Sequence, residues 1–465
     1  WLEWLVIAVF TVWIANRCAG PPLNGDSGVY HFSAVQLASR FPVLPGVALL
    51  HPFLGVSHGF FLFAAFIDAG PWEGYHAHLA NGLLTLTLAV PAVLAIGTFL
   101  RTRTAEAITI FDFTLLVLAI QLAVGRDLSS PTSDTAEIAL SVAVAREWVV
   151  TVGSRQAPRL VLLALLSGAL IAVKLSSAFA AGWIVANVAL LIWREPHARR
   201  AIGIAAAVLA AAVVPWMASN VVRTGWLPYP GCVVAFPVEW RIPQSLCRAV
   251  SAYTVSYGRL TLHRWDEPPD WSWVGPWFEQ LLAGGQALWP LALFTAATTA
   301  AAVHLLRGRK LAVPFWLTVP VVAQLLFWFF TAPDERYAGG WFWLLVATAF
   351  ASIATSLHRL APVVALGVVL LSASMELKGG LQLVGTAGLA PPPAATLQEF
   401  VSDNGVQLDF APDGKCWNAK QPCTGMPEPA IALRRVGDLS AGFVWRPKDE
   451  EQVPVFVQHL EQPHR

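Results

Sequence analysis

Charged residues are scarce in this chain. Asp, Glu, Lys and Arg together make up 13% of its 465 residues, whereas hydrophobic residues make up 56%. Water-soluble globular domains usually carry about a quarter of their residues as charged side chains. The composition therefore excludes an ordinary soluble domain and predicts an integral membrane protein.

The chain also lacks a strong net charge and any close set of metal ligands. Its formal net charge is +1, and its basic residues are spread over separate short connectors, which excludes a nucleic-acid partner. There is no CxxC motif and no cluster of His with Cys. The nearest histidine pair, His76 and His78, would point apart on a helix, so a metal site there is not expected.

Long apolar runs dominate the sequence instead. A transmembrane helix needs about 20 apolar residues. Residues 160–193 exceed that length and contain Lys174 near their middle, so we interpret them as two spans joined by a turn at the lysine. We expect about 11 transmembrane helices, and we expect the natural chain to begin before Trp1. The spans lie near residues 2–15, 76–100, 106–125, 135–152, the two halves of 160–193, 198–218, 282–305, 312–330, 338–357 and 361–376.

The basic residues give the orientation of these spans. With the N-terminus inside, every inner connector is basic, as expected for cytoplasmic loops. A single crossing at 160–193 would break that pattern and would place Cys232 and Cys247 in a reducing compartment. The sequence thus predicts a multi-pass protein of the bacterial inner (cytoplasmic) membrane with a periplasmic active face. Its outer loops are 16–75, 126–134, the turn at Lys174, 219–280 and 331–337.

The chain divides into a transmembrane domain, residues 1–376, and a periplasmic C-terminal domain, residues 377–465. The second begins with the proline-rich connector GLAPPPAATL and contains the β-prone runs GFVW and VPVFV, which predict a small α+β domain. All five cysteines fall on the outer side. The pairs Cys232 with Cys247 and Cys416 with Cys423 are near enough for disulfides, which leaves Cys18 unpaired; the alternative is five free thiols.

Two acidic turns on the outer side are the candidate catalytic groups. Asp26 precedes a run, residues 30–40, whose apolar spacing predicts a helix lying along the membrane surface. A carboxylate there would deprotonate an acceptor hydroxyl. Asp134, in SSPTSDTAE, would assist, and Asp127 is an adjacent candidate. The alternative for both turns is helix capping, with Glu137 completing a capping box at the second.

Three cations face the same side. Lys174, Arg223 and Arg336 are predicted at the outer membrane boundary, where they would bind the phosphate of a lipid-linked substrate. Glu335, next to Arg336, is a further predicted substrate-binding residue. The alternatives are a lysine that extends to the interface and a surface ion pair between Glu335 and Arg336.

Aromatic residues crowd the 219–280 loop. Tryptophan favours the headgroup level of a membrane, and one or two of these rings would instead stack on a sugar. We expect Tyr229 and Trp240 to shape the substrate pocket together with Tyr30 and His31. The aromatic residues of this loop include Trp226, Tyr229, Trp240, Trp265, Trp271, Trp273 and Trp277.

The segments GDSGVYH, SSPTSD and PDERYAGGWFW give the chain a resemblance to the integral-membrane glycosyltransferases of the GT-C superfamily. Those enzymes combine a multi-span helical body with an acidic motif in the first outer loop beside surface-lying helices. Asp26 corresponds by position to that first-loop acid, and Asp134 to a second acid in a later outer loop. The resemblance implies an all-α, GT-C-like polytopic fold.

A narrower resemblance runs nearly end to end. The motifs GDSGVYH, FPVLPGVALLH, SSPTSD, the KLS around Lys174 and DGKCWNAKQPCT are similar to those of an uncharacterised bacterial family of multi-pass proteins. The chain departs from that family after His51, where HPFLGVSHG replaces an arginine-containing continuation.

The superfamily resemblance implies an inverting transfer of a sugar from a polyprenyl-phosphate donor. The acceptor would be a glycan, a lipid or a protein, and the cofactor considered is a divalent metal, Mg or Mn. Two alternatives stay open, a transporter or flippase of a lipid-linked glycan and a non-catalytic membrane assembly subunit. A carrier should place polar residues at mid-membrane depth. The candidates here collect at the outer face and the inner half is nearly featureless, which favours an enzyme.

Overall fold

Helices make up most of the chain. The computed structural model describes residues 1–465 except 103, 105, 196, 260–270, 285–286, 355–366, 368–384, 386–387 and 462–465. The predicted span at 361–376 and Trp265 therefore lie largely or wholly outside the described residues.

The helices of the transmembrane domain are numbered in chain order over the described residues. They are α1 Leu2–Cys18, α2 Phe32–Arg40, α3 Gly59–Ile67, α4 Ala80–Thr102, α5 Ala107–Thr114, α6 Leu116–Val124, α7 Asp134–Ser154, α8 Ala157–Val173, α9 Ala178–Ile192, α10 Ala198–Thr224, α11 Gln244–Arg259, α12 Val274–Gly284, α13 Leu288–Leu306, α14 Val319–Thr331, α15 Glu335–Ala338 and α16 Trp341–Ser352. A short hairpin joins β1 Trp226–Leu227 to β2 Val234–Ala235.

The structure supports a membrane protein. Within the described ranges, five helical segments are long and apolar enough to span a bilayer, and three shorter apolar helices accompany them. The predicted break of 160–193 is confirmed, because α8 ends at Val173 and α9 begins at Ala178 after a short 3₁₀ turn. The five segments are His76–Thr102, Ala107–Val124, Leu175–Ile192, Ala198–Thr224 and Leu288–Leu306.

The two largest hydrophobic clusters of the described residues hold different parts of the chain together. The larger one lies among the apolar helices and includes the fully buried rings of Trp148 and Trp341. The second joins loops predicted on the outer side to the C-terminal domain, because Val35 and Tyr229 pack with Phe443. The outer loops are therefore packed into the protein and hold their polar residues at fixed positions above the spans.

The predicted surface helix of the first outer loop has a different environment. Residues Phe32–Arg40 do form α2, preceded by a π-helical segment at Ser27–His31. Most of α2 is buried, however, because the C-terminal domain packs over it: Gln421 Nε2 donates to Ser33 Oγ at 3.0 Å. The helix is thus covered by protein, and its apolar spacing reflects this packing.

The C-terminal domain has the predicted α+β composition. Strand β3 (Gln398–Val401) pairs antiparallel with β4 (Gln407–Phe410), and β4 pairs parallel with β5 (Cys423–Thr424). A second antiparallel pair consists of β6 (Ile431–Arg435) and β7 (Asp438–Trp445), which contains GFVW as predicted.

The strand predicted for VPVFV is wrong. Residues Val455–Glu461 form the helix α17 instead. Pro454 stands just before this helix, where its fixed φ suits a helix start. Phe456 and Val457 are buried, so successive apolar residues pack on one side of a helix.

Both expected disulfides are present. Cys232 is bonded to Cys247 and Cys416 to Cys423, while Cys18 is a buried free thiol at the end of α1. The thiols are therefore paired as the outer location of the loops led us to expect.

Two ion pairs lie in the half of the spans that the sequence assigns to the inner side, so that half is not featureless as expected. Arg146 donates to both carboxylate oxygens of Asp112, at 2.8 and 3.0 Å, and Arg159 pairs with Glu147 at 2.9 Å. These charges were overlooked because Asp112 and Arg146 stand in separate apolar segments. Each is tolerated there because its partner neutralises it.

The contact between the first outer loop and the C-terminal domain can be tested at Gly46. This residue has φ +66°, and an added Cβ would overlap the Phe443 carbonyl oxygen. We expect Gly46→Ala to lower the free energy of unfolding by about 3 kcal/mol, through backbone strain plus the overlap. The measurement is unfolding in detergent micelles.

Gly405→Ala is the matched control for Gly46→Ala. Gly405 has a similar φ, +76°, but an added Cβ would meet open space. It should lose only about 1 kcal/mol, the cost of the left-handed backbone alone. Equal losses in the two variants would contradict the packing of these two regions.

Candidate functional site

Hydrogen bonds join the first outer loop to the loop 126–134. The Ser130 hydroxyl accepts from the backbone N–H groups of Leu23 and Asn24, both at 3.0 Å. The Asn24 side-chain amide donates to Asp127 Oδ1 at 2.6 Å, and its carbonyl oxygen accepts from the N–H of Asp26 at 2.9 Å. The two acidic turns are therefore held side by side.

Asn81, at the start of α4, holds the second of these loops in shape. Its buried side-chain amide donates to the carbonyl oxygens of Asp127 and Ser130, at 2.8 and 2.7 Å, and lies 3.3 Å from that of Thr132. One amide thereby satisfies several buried backbone acceptors, which would otherwise cost free energy. This fixes the direction in which the loop enters α7.

Neither acidic turn uses its acid as a helix cap. Asp26 precedes the π-helical segment, and Ser133 precedes α7, and neither side chain makes a capping hydrogen bond. Glu137 does not complete a capping box either, because its fully buried Oε1 accepts from Ser177 Oγ and Trp341 Nε1, both at 2.8 Å. The capping alternative is therefore wrong for both turns, and their carboxylates serve other contacts.

Arg336 connects the two acids. Its Nη1 donates to Asp26 Oδ2 at 3.0 Å, and its Nε lies 3.8 Å from Asp134 Oδ2. The guanidinium also lies over the rings of Tyr257 and Tyr337, 5.8 and 5.2 Å from their centroids. Asp26 is the most open member, with 41% of its side chain exposed. The structure thus places the two predicted acids on one arginine.

Lys174 is paired with Asp134. Its Nζ donates to Asp134 Oδ1 at 2.8 Å, and the side chains are only 11% and 15% exposed. Because it ends α8 at the break before α9, the lysine reaches the first turn of α7. Its charge neutralises a buried carboxylate. The binding of a substrate phosphate by Lys174 stays a prediction.

The loop that carries Arg336 is anchored by two tryptophans. Trp277 Nε1 donates to the Pro333 carbonyl at 2.6 Å, and Trp328 Nε1 donates to the Asp334 carbonyl at 2.7 Å. The Asp334 carboxylate in turn caps α15 by accepting from the N–H of Arg336 at 2.8 Å. The position of the guanidinium is therefore set by the backbone on which it stands.

A cavity of about 710 Å³ opens beside this network. Its lining combines charged residues, among them Asp134 and Arg336, with apolar residues that come mainly from α6 and α12. Its charged lining residues are Arg126, Asp127, Asp134, Asp334, Glu335 and Arg336, and its apolar ones include Leu118, Leu122, Val124, Ile138, Trp277 and Leu281.

The acids of this cavity are not equally ionised. Burial raises the pKa of Asp127 and of Asp334 above the ordinary value. Burial and the adjacent Asp334 raise the pKa of Glu335 to about 7. Glu335 is thus partly protonated near neutral pH and can then donate a hydrogen bond.

Three predicted substrate contacts lie away from the cavity. Arg223 donates to the Leu54 carbonyl and to Ser219 Oγ, at 3.0 and 3.1 Å. Tyr229 is buried in the second hydrophobic cluster and donates to the Pro52 carbonyl. Trp240 has its ring under the guanidinium of Arg434, 4.6 Å away. Each of the three joins the outer loops to one another or to the C-terminal domain, and a role in substrate binding stays a prediction.

Tyr30 and His31 do lie next to the acids. Their rings are 4.4 Å apart in an edge-to-face contact, and His31 Nδ1 is 3.3 Å from Ser27 Oγ. Burial lowers the pKa of His31 to about 4, so its ring is neutral at physiological pH. These two side chains lie beside Asp26 and are uncharged.

Two residues of the site were not predicted from the sequence. Arg126 is exposed and lines the cavity, and Glu137 is buried behind the Lys174 pair. Trp277, one of the aromatic residues predicted at the membrane interface or on a sugar, also lines the cavity. Arg126 could have been found, because a basic residue in an outer loop departs from the positive-inside pattern. Glu137 offered no such signal, since its spacing from Ser133 fits a capping box equally well.

The site offers cations and carboxylates paired with each other. In the part of the chain that the structure describes, no three His, Cys, Asp or Glu side chains come together as a metal site. The carboxylates of Asp26 and Asp134 face arginine and lysine instead. A role for Mg or Mn stays a prediction.

Comparison with known proteins gives a family without an activity. A family model described as a domain of unknown function (DUF8201) matches residues 1–371. No curated protein and no solved structure matches the chain. The match covers the helices that carry the acid and arginine network and ends before strand β3.

The pairing of Lys174 with Asp134 can be tested by removing the lysine. We expect Lys174→Ala to lower the free energy of unfolding by about 3 kcal/mol, because a buried carboxylate loses its nearest cation. Adding Asp134→Asn to that variant should restore part of the loss. The measurement is unfolding in mixed micelles.

Lys448→Ala provides the control for Lys174→Ala. Lys448 also pairs with an aspartate, Asp403 at 3.0 Å, but its side chain is 66% exposed. Removing such a surface pair should cost less than about 1 kcal/mol. A Lys174→Ala variant as stable as this control would refute the buried pair.

Proposed function

The chain belongs to the DUF8201 family, whose function is unknown, and we propose that this member is a membrane glycosyltransferase of the GT-C type. It would transfer a sugar, with inversion, from a polyprenyl-phosphate donor to an acceptor on the periplasmic side of the bacterial inner membrane. In this proposal the chain crosses the membrane about 11 times and the cavity opens at the outer face.

The cavity is the observation that supports the proposal. Its lining combines Arg126 and Arg336 with apolar residues from α6 and α12. A polyprenyl-phosphate sugar has the same division, an anionic head on an apolar chain. The arginines would bind the phosphate, since guanidinium groups match phosphate geometry, and the apolar residues would contact the first isoprene units.

The bond between Arg336 and Asp26 determines the order of events in the proposed reaction. An incoming phosphate would compete with Asp26 for the same guanidinium. Asp26 then accepts the proton of the acceptor hydroxyl as that oxygen bonds to the anomeric carbon. The bond from that carbon to the phosphate oxygen breaks, and the phosphate leaves with the electron pair. Arg336 stabilises the charge that develops on the phosphate, while Arg126 holds it equally before and during transfer.

Asp134 supports this exchange without reacting. It is held by Lys174 at 2.8 Å and lies 3.8 Å from Arg336, so it keeps the guanidinium at the cavity when Asp26 is released. The four lining acids outnumber the two lining arginines, and partial protonation of Glu335 reduces that excess. A protonated Glu335 would donate to a sugar hydroxyl.

The inner-half ion pairs favour a second function, a flippase for a lipid-linked glycan. Asp112 with Arg146 and Glu147 with Arg159 place charge on α5, α7 and α8, below the cavity. A carrier needs polar groups along its path. The enzyme is preferred because Arg146 and Arg159 are each already paired with a carboxylate, whereas the outer cavity offers an exposed arginine, Arg126.

Asp26→Asn tests the proposed base. The protein would be reconstituted in vesicles with a panel of polyprenyl-phosphate monosaccharides labelled in the sugar. Bacterial cell-envelope fractions would supply the acceptors. We expect the variant to fold and to lose at least about 100-fold in kcat, because the amide cannot accept the proton. Asp68→Asn is the control, since Asp68 is an acid of the same outer loop that bonds to Gly74 and His76 instead.

Two results of the Asp26→Asn experiment would count against the enzyme. Full transfer by the variant would remove Asp26 as the base. Movement of labelled lipid across the vesicle membrane, with no transfer by the unaltered protein, would replace the enzyme by the flippase.

Arg126→Ala tests phosphate binding. We expect its KM for the donor to rise about tenfold with little change in kcat, because Arg126 binds the phosphate before and during transfer. Arg248→Ala is the control, since Arg248 is an exposed arginine of α11 that lines a separate outer groove. An unchanged KM in the Arg126 variant would exclude this contact.

A further inference from the structure

A disulfide-closed loop of the C-terminal domain packs on the segment that carries Asp26. The loop comprises residues 416–424, and the bond between Cys416 and Cys423 closes it. The N–H of Trp417 donates to the Gly28 carbonyl at 3.0 Å. Gly28 stands in the π-helical segment two residues after Asp26, so the loop contacts the backbone beside the proposed base.

The ring of Trp417 also occupies the space beside the Gly28 Cα. A Cβ added to Gly28 would fall 2.7 Å from the indole, closer than any normal contact. The ring meets Phe32 as well, with centroids 6.5 Å apart. The absence of a side chain at position 28 is thus what allows the tryptophan to approach.

The backbone of Trp417 has an unfavourable conformation at the position where its ring meets Gly28. Its φ of +44° lies in the left-handed region, which costs a residue with a side chain about 1 kcal/mol or more. Neighbouring contacts compensate: Asn418 accepts from Gln36 Nε2, and Thr424 Oγ1 donates to the Leu50 carbonyl at 2.7 Å. The disulfide shortens the loop so that these contacts and the tryptophan are presented together.

The backbone of Asp26 is anchored at two points. The N–H of Asp26 donates to the Asn24 side chain. Two residues later, the Gly28 carbonyl accepts from the N–H of Trp417. The first anchor belongs to the transmembrane domain and the second to the C-terminal domain. Without the second, the π-helical segment would be free to relax into an ordinary helix or turn, and the carboxylate would move with it.

We propose that Trp417, presented by the Cys416–Cys423 loop, is a positioning residue that holds the Asp26 segment in its reactive arrangement. The role of Asp26 as a base rests on the proposed function, whereas the positioning of its segment by Trp417 is a property of the fold. The C-terminal domain therefore completes the site without contributing a group to the cavity.

The test compares the two disulfides of the protein. The full chain in detergent micelles would be prepared as the pair of variants C416S/C423S and C232S/C247S. Amide hydrogen exchange of residues 26–32 should rise at least about tenfold in the first and stay unchanged in the second. Exchange that stays protected in C416S/C423S would overturn the proposal.

A double-mutant cycle tests the contact itself. Gly28→Ala should accelerate exchange of the segment, because the new Cβ displaces the indole. In a Trp417→Ala background the same Gly28→Ala change should have much less effect, since nothing remains to displace. Additive effects of the two substitutions would show that the ring and the glycine do not act together and would refute the proposal. This cycle keeps the idea testable if the cysteine variants fold poorly.

Transfer kinetics separate positioning from mere stability. Trp417→Ala should lower kcat about tenfold and leave the KM for the donor unchanged, because Arg126 and Arg336 are untouched. An unchanged kcat would overturn the positioning role. If exchange responds as expected but no variant and no unaltered protein transfers sugar, the positioning stands and the proposed function alone fails.

Discussion

The site depends on the need to neutralise Asp134. A carboxylate buried at the first turn of α7 is costly unless cations neutralise it. Lys174 donates to Asp134 at 2.8 Å, and the Arg336 guanidinium lies 3.8 Å from it. Lys174 requires α8 to end where it does, and Arg336 requires the turn after α14 to face α7. Asp26 then takes the outer side of Arg336. Four distant segments of the chain are thereby drawn to one point.

Much of this convergence could be predicted from the sequence. Counting spans by the charge of their connectors places Asp26, Asp134, Lys174 and Arg336 at the same membrane face, and the structure brings these four together. The same count failed for Arg223, because parity gives the side of the membrane but not which helices are neighbours. Arg223 stands on α10 and donates a hydrogen bond to the carbonyl of Leu54.

The remaining errors have a common physical origin in burial. Spacing along the chain shows that α2 has an apolar face, but it does not show that a second domain covers that face. The run of valines and a phenylalanine near residue 455 likewise does not show that these residues belong to a helix. Glu137 was hidden for the same reason, since a capping acid and a buried acid share one spacing. Long-range packing decides each case, and one sequence does not contain it.

The length of α8 has a consequence for the lipid around it if that helix crosses the membrane as proposed. Helix α8 has 17 residues and rises about 26 Å, less than the roughly 30 Å of a typical hydrocarbon core. A bilayer adapts to such a mismatch by thinning locally. The lipid headgroups nearest the end of α8 would then lie closer to Lys174 than they would beside a longer helix. The local thickness of the bilayer thus becomes a property of the site, determined by the residue at which α8 ends.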